Sequence, residues 1–441
     1  MGMTDQIPTP SGRPFTGQLL AFRKQPLDYL YRLSKEYDDI VKLRFGLKQN
    51  VYVLFNPDYI EEVLVKKHAS FQKAKTLQLT KDVLGEGLVT SEGEKHLQHR
   101  RHMQPLFQPK HIAHYAQTMI DITEEVIANW QEGKEYDIHQ EMMAITLKII
   151  NQTMFGSDVD EHIEQISQAI DIGMNYITEK SRSLLSLDLK TTKKNEYEEA
   201  IEQLNTIIYK IIENRLASSD LHKRHDLLSR LLSSKVFSPE EVRDEVTTIF
   251  IAGHETTANT LSWAWYLLAK FPEAEQLFTK ELKEVVQGNS MTMDDYERLT
   301  YTKNIVFESL RMYPPAWKVS REAIEDVQIG PYSFQKGDMI FMSQYVVHHN
   351  EKYFKEPFLF RPDRFSDGSL EQNPRFSFFP FGGGPRVCIG NHFAHMEATL
   401  LLATIGRKYK LTLPENIQID PEPLVTLRPK QPLMMKVEPR I

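Results

Sequence analysis

Apolar residues recur at helical spacing from Leu27 to Tyr37, whereas Ile40 to Phe45 and Val51 to Phe55 alternate apolar with polar positions around a turn at Gly46 to Asn50. The first pattern predicts a helix, and the second predicts two short strands of a β-rich region at about 25–70. From about Gly93 to Phe271 nearly every segment carries the helical period: His96 to Gln104, His111 to Gln131, Ile138 to Met154, Glu161 to Thr178 and Glu196 to Ala217. Between two of these, Lys180 to Asn195 holds Lys180, Arg182, Lys190, Lys193 and Lys194 and little apolar content. It reads as a solvated connection, with a mobile lid over a pocket as the alternative.

Ser238-Pro239-Glu240-Glu241 opens a longer helix: a serine N-cap, proline at the first helical position and glutamate three residues after the cap. Nothing interrupts it until Phe271-Pro272, so about 32 residues span roughly 48 Å. Such a helix crosses a whole domain and needs others around it. Tyr301 to Tyr313 predicts another helix, stopped by Pro314-Pro315; Val327 to Ile329 and Asp338 to Met342 read as strands. A last helix, about Ile389 to Lys408, precedes short strands at Lys410 to Leu413 and Leu433 to Val437. The expected fold is mainly α, with a helical body at about 90–315 and a smaller β-rich region. No internal repeat or linker divides residues 1–441, which are expected to form a single domain.

Composition narrows the function classes. With 53 Lys+Arg against 60 Asp+Glu the net charge is −7, which argues against a nucleic-acid binder. The single cysteine, Cys388, excludes an intrachain disulfide and any zinc or iron–sulfur site built from several cysteines. Met1 to Lys24 is polar and punctuated by proline, unlike a secretory signal or membrane anchor. Thr247 to Leu268 is apolar but broken by His254, Glu255, Thr256, Thr257 and Asn259, too polar to span a bilayer. A cytoplasmic protein without a membrane anchor is expected.

Cys388 sits in Phe378-Phe379-Pro380-Phe381-Gly382-Gly383-Gly384-Pro385-Arg386-Val387-Cys388-Ile389-Gly390, a glycine-rich loop leading into the last helix. Three glycines allow a tight turn that aims N–H groups at one point. Beside Arg386 and a helix start, the thiol is expected to be acidified to a thiolate. A lone cysteine is usually a small buried apolar residue, but this loop favours a shielded iron ligand, and one thiolate as axial ligand is the haem-thiolate arrangement. In the long helix, Ala252-Gly253-His254-Glu255-Thr256-Thr257 sets an acid and an alcohol beside small residues. It reads as a solvated patch or as a site where Glu255 and Thr256 deliver protons under a flat cofactor. Glu308 and Arg311 share a helix face, and Arg364 in Arg361-Pro362-Asp363-Arg364-Phe365 offers further hydrogen bonds should the pair be buried.

These four elements, in this order, resemble the cytochrome P-450 superfamily of haem-thiolate monooxygenases. The motifs Ala-Gly-x-[Asp/Glu]-Thr-Thr, Glu-x-x-Arg, Pro-x-Arg-Phe and Phe-x-x-Gly-x-x-x-Cys-x-Gly fall at Ala252 to Thr257, Glu308 to Arg311, Pro362 to Phe365 and Phe381 to Gly390. The resemblance extends over nearly the whole chain, thinning before residue 90. It implies that Cys388 is the axial ligand of haem b, that Thr256 and Glu255 are the oxygen-activating alcohol and acid, and that Glu308, Arg311 and Arg364 form a structural cluster. It places Phe381, Ala252 and Gly253 against the cofactor and His96, Arg100, Arg321 and Arg386 at the propionates. Many members carry Trp where this chain has His96.

The stretch Phe250 to Thr257 looks more like the haem domain of soluble bacterial fatty-acid hydroxylases, and like the microsomal branch, than like the camphor-hydroxylase branch. The resemblance implies insertion of one oxygen atom from O2 into an apolar substrate, with fatty acid ahead of steroid or terpenoid. Electrons from NAD(P)H would arrive through a separate ferredoxin or flavodoxin with its reductase, docking on Lys95, Arg101, Lys110 and Arg375. Lys318 would either pair with a substrate carboxylate or, as favoured, hold its head in solvent. A peroxide-driven hydroxylase of the same fold and a non-catalytic haem sensor are the competing functions.

Overall fold

A computed structural model describes residues 7–47, 49–156, 162–182, 191–224, 226–288, 290–414 and 417–440. Helix α1 (Pro26–Glu36) packs beside a five-stranded sheet of β1 (Ile40–Phe45), β2 (Gln49–Leu54), β3 (Phe71–Lys73), β4 (Val319–Ala323) and β5 (Met339–Met342), in the order β1-β2-β5-β4-β3. The β2–β5 pair is parallel and the other three are antiparallel. The helical body contains α2 (Gly93–Met103), α3 (Ala116–Ile127), α4 (Ile138–Ile150), α5 (Ile163–Arg182), α6 (Thr191–Ala217), α7 (Pro239–Lys270), α8 (Thr300–Met312) and α9 (Asn391–Lys408). The hairpin of β6 (Pro421–Pro423) and β7 (Leu427–Pro429) reaches back to α7 near the C-terminus.

Helix α7 has the predicted length and cap. Ser238 Oγ accepts from the Glu241 N–H at 3.2 Å, and Glu241 Oε2 accepts from the Ser238 N–H at 3.0 Å. Its residues from Thr257 to Leu268 are buried without a break, including Trp263 and Trp265. The long helix is therefore the axis of the largest hydrophobic cluster, with α4, α8 and α9 around it. Two smaller clusters cover the two faces of the five-stranded sheet. The predicted helix from His111 to Gln131 is instead a short helix at Pro109–Ile112, a 3-10 turn at Ala113–Tyr115 and α3. Of the Lys180 to Asn195 connection, residues 183–190 lie outside the described residues, and those on either side close α5 and open α6. No helix among the described residues is long and apolar enough to cross a membrane.

Candidate active site

The loop before α9 is shaped by its glycines. Gly384 has φ +66°, and a Cβ there would lie 1.9 Å from the Leu64 carbonyl oxygen, so only glycine fits. The Cys388 N–H donates to the Phe381 carbonyl at 3.0 Å, closing the turn that presents the thiol. Cys388 keeps open surface, and that surface borders a cavity of about 870 Å³ between the loop, α7 and the sheet. The thiol pKa is raised by burial, against the opposing pull of the Gly390 N–H and of Arg100. This corrects the expected acidification by Arg386, whose guanidinium turns away to the Ser91 carbonyl at 2.8 Å and to the Glu92 carboxylate.

The cavity wall is mostly apolar, and among the described residues it contains no carboxylate. It does contain cations. Arg100 donates to the Val387 carbonyl at 2.7 Å, Arg321 to the Ser320 carbonyl at 3.0 Å, and Lys73 to the carbonyls of Leu88 and Ser91 at 3.1 and 3.2 Å. The β3–β4 register sets Lys73 directly opposite Arg321, a like-charge pairing that costs stability unless an anion lies between them. Burial first and Arg386 second push Lys73 down to about 7, and the same two causes push Arg321 down to about 10. Buried beside Arg386, Lys73 and Arg100, His96 is held down to about 3, so it offers a neutral N–H and no charge. One thiol in an apolar pocket and a cationic cluster with a single carboxylate, Glu92, fit an iron porphyrin: Cys388 for the metal, and Lys73, His96, Arg100, Arg321 and Arg386 for its propionates.

Sequence reasoning identified this cluster except for Lys73, whose only local signal is a lysine ending a three-residue strand. It also missed the clamp that seats α2 on α7, where His99 Nδ1 meets Glu245 Oε1 at 2.5 Å and the Leu88 N–H donates to Glu245 Oε2 at 3.2 Å.

On α7 the motif residues divide. Ala252, Gly253 and Thr256 line the cavity, as does Phe381 on the loop, and Thr256 Oγ1 donates to the Ala252 carbonyl at 2.7 Å. A Cβ on Gly253 would come 2.4 Å from Ile150 Cδ1, so packing against α4 also requires its small size. Glu255 is absent from the cavity wall and instead accepts from Thr426 Oγ1 at 2.5 Å. Burial raises its pKa, with the Thr426 hydroxyl and Arg428 opposing.

Behind the loop, Glu308, Arg311 and Arg364 come together fully buried. Glu308 accepts from Arg311 at 2.7 and 2.9 Å and from Arg364 at 2.9 Å, while Arg311 also reaches the His348 carbonyl at 2.8 Å. His348 Nε2 in turn accepts from the Phe379 N–H at 3.0 Å, tying the cluster to the thiol loop. Lys318, partly exposed, borders the cavity with its ammonium 4.8 Å from the Trp317 ring and 5.0 Å from Phe341. Lys95 pairs with Glu86 at 2.9 Å and Glu241 at 3.6 Å.

The family model described as Cytochrome P450 matches residues 7–437. The chain is 33% identical to the cyclooctatin synthase of Streptomyces melanosporofaciens, over 98% of this chain and 95% of that protein. It is 32% identical to the cyclooctat-9-en-7-ol 5-monooxygenase of the same organism, over 91% and 88%. It is 30% identical to the pentalenene oxygenase of Streptomyces avermitilis, over 98% and 97%. The crystal structure of the cytochrome P450DA heme domain superposes with a TM-score of 0.90 at 23% identity, covering 100% of this chain and 99% of that one. With the thiol loop, the cationic cluster and the Glu-x-x-Arg pair in place, these matches show that the chain belongs to the cytochrome P450 family of haem-iron monooxygenases.

Proposed function

We propose that this chain is a haem b monooxygenase of one cytoplasmic domain, inserting one oxygen atom from O2 into an apolar, cyclic alkene or alkenol substrate. The observation that carries the reading is the lone Cys388 thiol opening into an apolar cavity whose wall holds cations and, among the described residues, no carboxylate. Two of the relatives act, by name, on an alkenol and an alkene, which favours that substrate class. A fatty acid is the second reading, favoured by Lys318, a cation on the cavity wall within reach of a carboxylate.

Bound haem would supply O2 activation, with thiolate donation favouring O–O bond cleavage. Cys388 would hold the iron, with the Gly390 N–H tempering the charge on its sulfur. Lys73, Arg100, Arg321 and Arg386 would neutralise the propionates. The Thr256 hydroxyl donates its hydrogen bond to the Ala252 carbonyl, leaving its oxygen to accept from a donor in the cavity. Glu255, biased toward its protonated form, is the proton store beside it. The apolar wall excludes water from the reacting carbon.

Electrons from NAD(P)H enter through a ferredoxin or flavodoxin with its reductase. Arg101, Lys110 and Arg375 are its docking cations, and Lys95 is already committed to Glu86 and Glu241. Turnover with a surrogate ferredoxin, its reductase and NADPH under 18O2, on cyclooctene and on lauric acid, tests the whole reading. It predicts label in the product of one of them and a several-fold loss of product per NADPH in Thr256→Ala. Haem binding with no label in either product would overturn it in favour of a sensor.

A further inference from the structure

Glu255 and Thr256 are neighbours in sequence but face different compartments, since Thr256 borders the cavity and Glu255 does not. Glu255 Oε1 accepts the 2.5 Å hydrogen bond from Thr426 Oγ1, and Thr426 Oγ1 accepts from Asn259 Nδ2 at 3.3 Å. Asn259 is itself fully buried. Thr426 stands at the turn between β6 and β7, directly after Pro423, Leu424 and Val425, which do line the cavity.

The turn is tethered by two indoles. Trp317 Nε1 donates to the Leu424 carbonyl at 3.0 Å and Trp263 Nε1 to the Leu427 carbonyl at 3.2 Å, while the Leu427 N–H donates to the Pro315 carbonyl at 2.9 Å. A fixed turn thus presents one hydroxyl to one partly buried acid, and the residues beside that hydroxyl form cavity wall.

We propose that Thr426 is a positioning residue for Glu255: its hydroxyl, oriented by Asn259, holds the carboxyl off the cavity and sets its proton affinity. The inference rests on the monooxygenase reading only for its consequence, because the hold itself is a property of the protein. A hydroxyl donating to a carboxylate stabilises the ionised form, and its loss leaves both Glu255 and the Asn259 amide short of a partner. Among the described residues, the other charged groups that act on this acid are Arg428 on β7 and Asp171 on α5, while His254 on α7, kept neutral by burial, acts on Asp171. Arg428 is shared with Glu422 at 3.1 Å and Asp171 is itself an acid, so neither replaces the Thr426 contact.

The test is infrared titration of the haem-loaded, substrate-free protein, with the Glu255 carboxyl band assigned by its loss in Glu255→Gln. Thr426→Val is expected to raise the Glu255 midpoint by about one pH unit, a tenfold gain in proton affinity, and Thr426→Ser to restore it. A midpoint unmoved in Thr426→Val, or a serine variant that behaves like the valine one, would overturn the proposal. Product formed per NADPH in Glu255→Gln reports separately on the proposed catalytic role. An unchanged ratio there removes the acid from the reaction without touching the Thr426 result.

Discussion

Two clusters of charged side chains lie on either side of the thiol loop, and they are built on opposite principles. In the Glu308, Arg311 and Arg364 cluster each donor nitrogen of both guanidiniums has an acceptor: Glu308 or the carbonyls of His348, Lys355, Glu356 and Leu359. Glu308 Oε1 additionally takes the Arg361 N–H at 3.0 Å. Around the cavity, Lys73, Arg100, Arg321 and Arg386 have among the described residues one ion-paired carboxylate, the Gln104 amide oxygen and a few backbone carbonyls, with two of the cations set opposite each other on paired strands. A satisfied cluster has no capacity left for a ligand and holds the fold. A cluster with surplus cations is costly alone and is stabilised by an anion.

The largest expected effect falls on the satisfied side. Arg311→Ala removes two hydrogen bonds from the buried Glu308 carboxylate, leaves its Oε2 without a partner and should cost about 3–5 kcal/mol, read as loss of folded protein in urea titration of haem-free and haem-loaded samples alike. The comparison breaks if that variant folds normally and only haem binding suffers. Arg321→Met should do the reverse, since it removes the repulsion with Lys73. Haem-free protein should be as stable as wild type or more so, while haem affinity falls about tenfold to a hundredfold through a lost charge-assisted contact of about 1.5–3 kcal/mol, measured by haem transfer to apomyoglobin.

A smaller effect sharpens the contrast. The Lys73 pKa of about 7 lies below the unfolded value of 10.5, so between those values the unfolded chain binds more protons and stability should rise with pH. Below about pH 7 the buried ammonium carries its full cost. Urea midpoints of haem-free protein should therefore climb from pH 7 to 10, and this contribution should vanish in Lys73→Met. With haem bound the propionates restore the ammonium, so haem uptake at pH 8.5 should take up close to one proton in wild type and fewer in the variant, as measured by calorimetry in buffers of different ionisation enthalpy.

Much of this was legible in the chain because its signals are local. Ser238, Pro239 and Glu241 fix the start of α7 within a four-residue capping box, Pro272 fixes its end, and the loop from Phe381 to Gly390 carries its glycine requirement in its own sequence. Glu308 and Arg311 share a helical face three residues apart, so their pairing needed no tertiary information. What escaped depends on strands and turns meeting across the fold. Lys73 reaches the cavity only through its register with Arg321, about 250 residues later in the chain. Glu255 is turned from its neighbour Thr256 by Thr426, 171 residues downstream. Arg386 is likewise near Cys388 in sequence but directed in space to Glu92, and burial, which the sequence alone does not reveal, pushes the thiol up.

Ligation of the haem iron by Cys388 Sγ is read in the carbon monoxide difference spectrum of the dithionite-reduced, haem-loaded protein. Wild type should show a strongly red-shifted Soret band that disappears in Cys388→Ala. A wild-type spectrum without that band, or one that persists when Cys388 is removed, would contradict it.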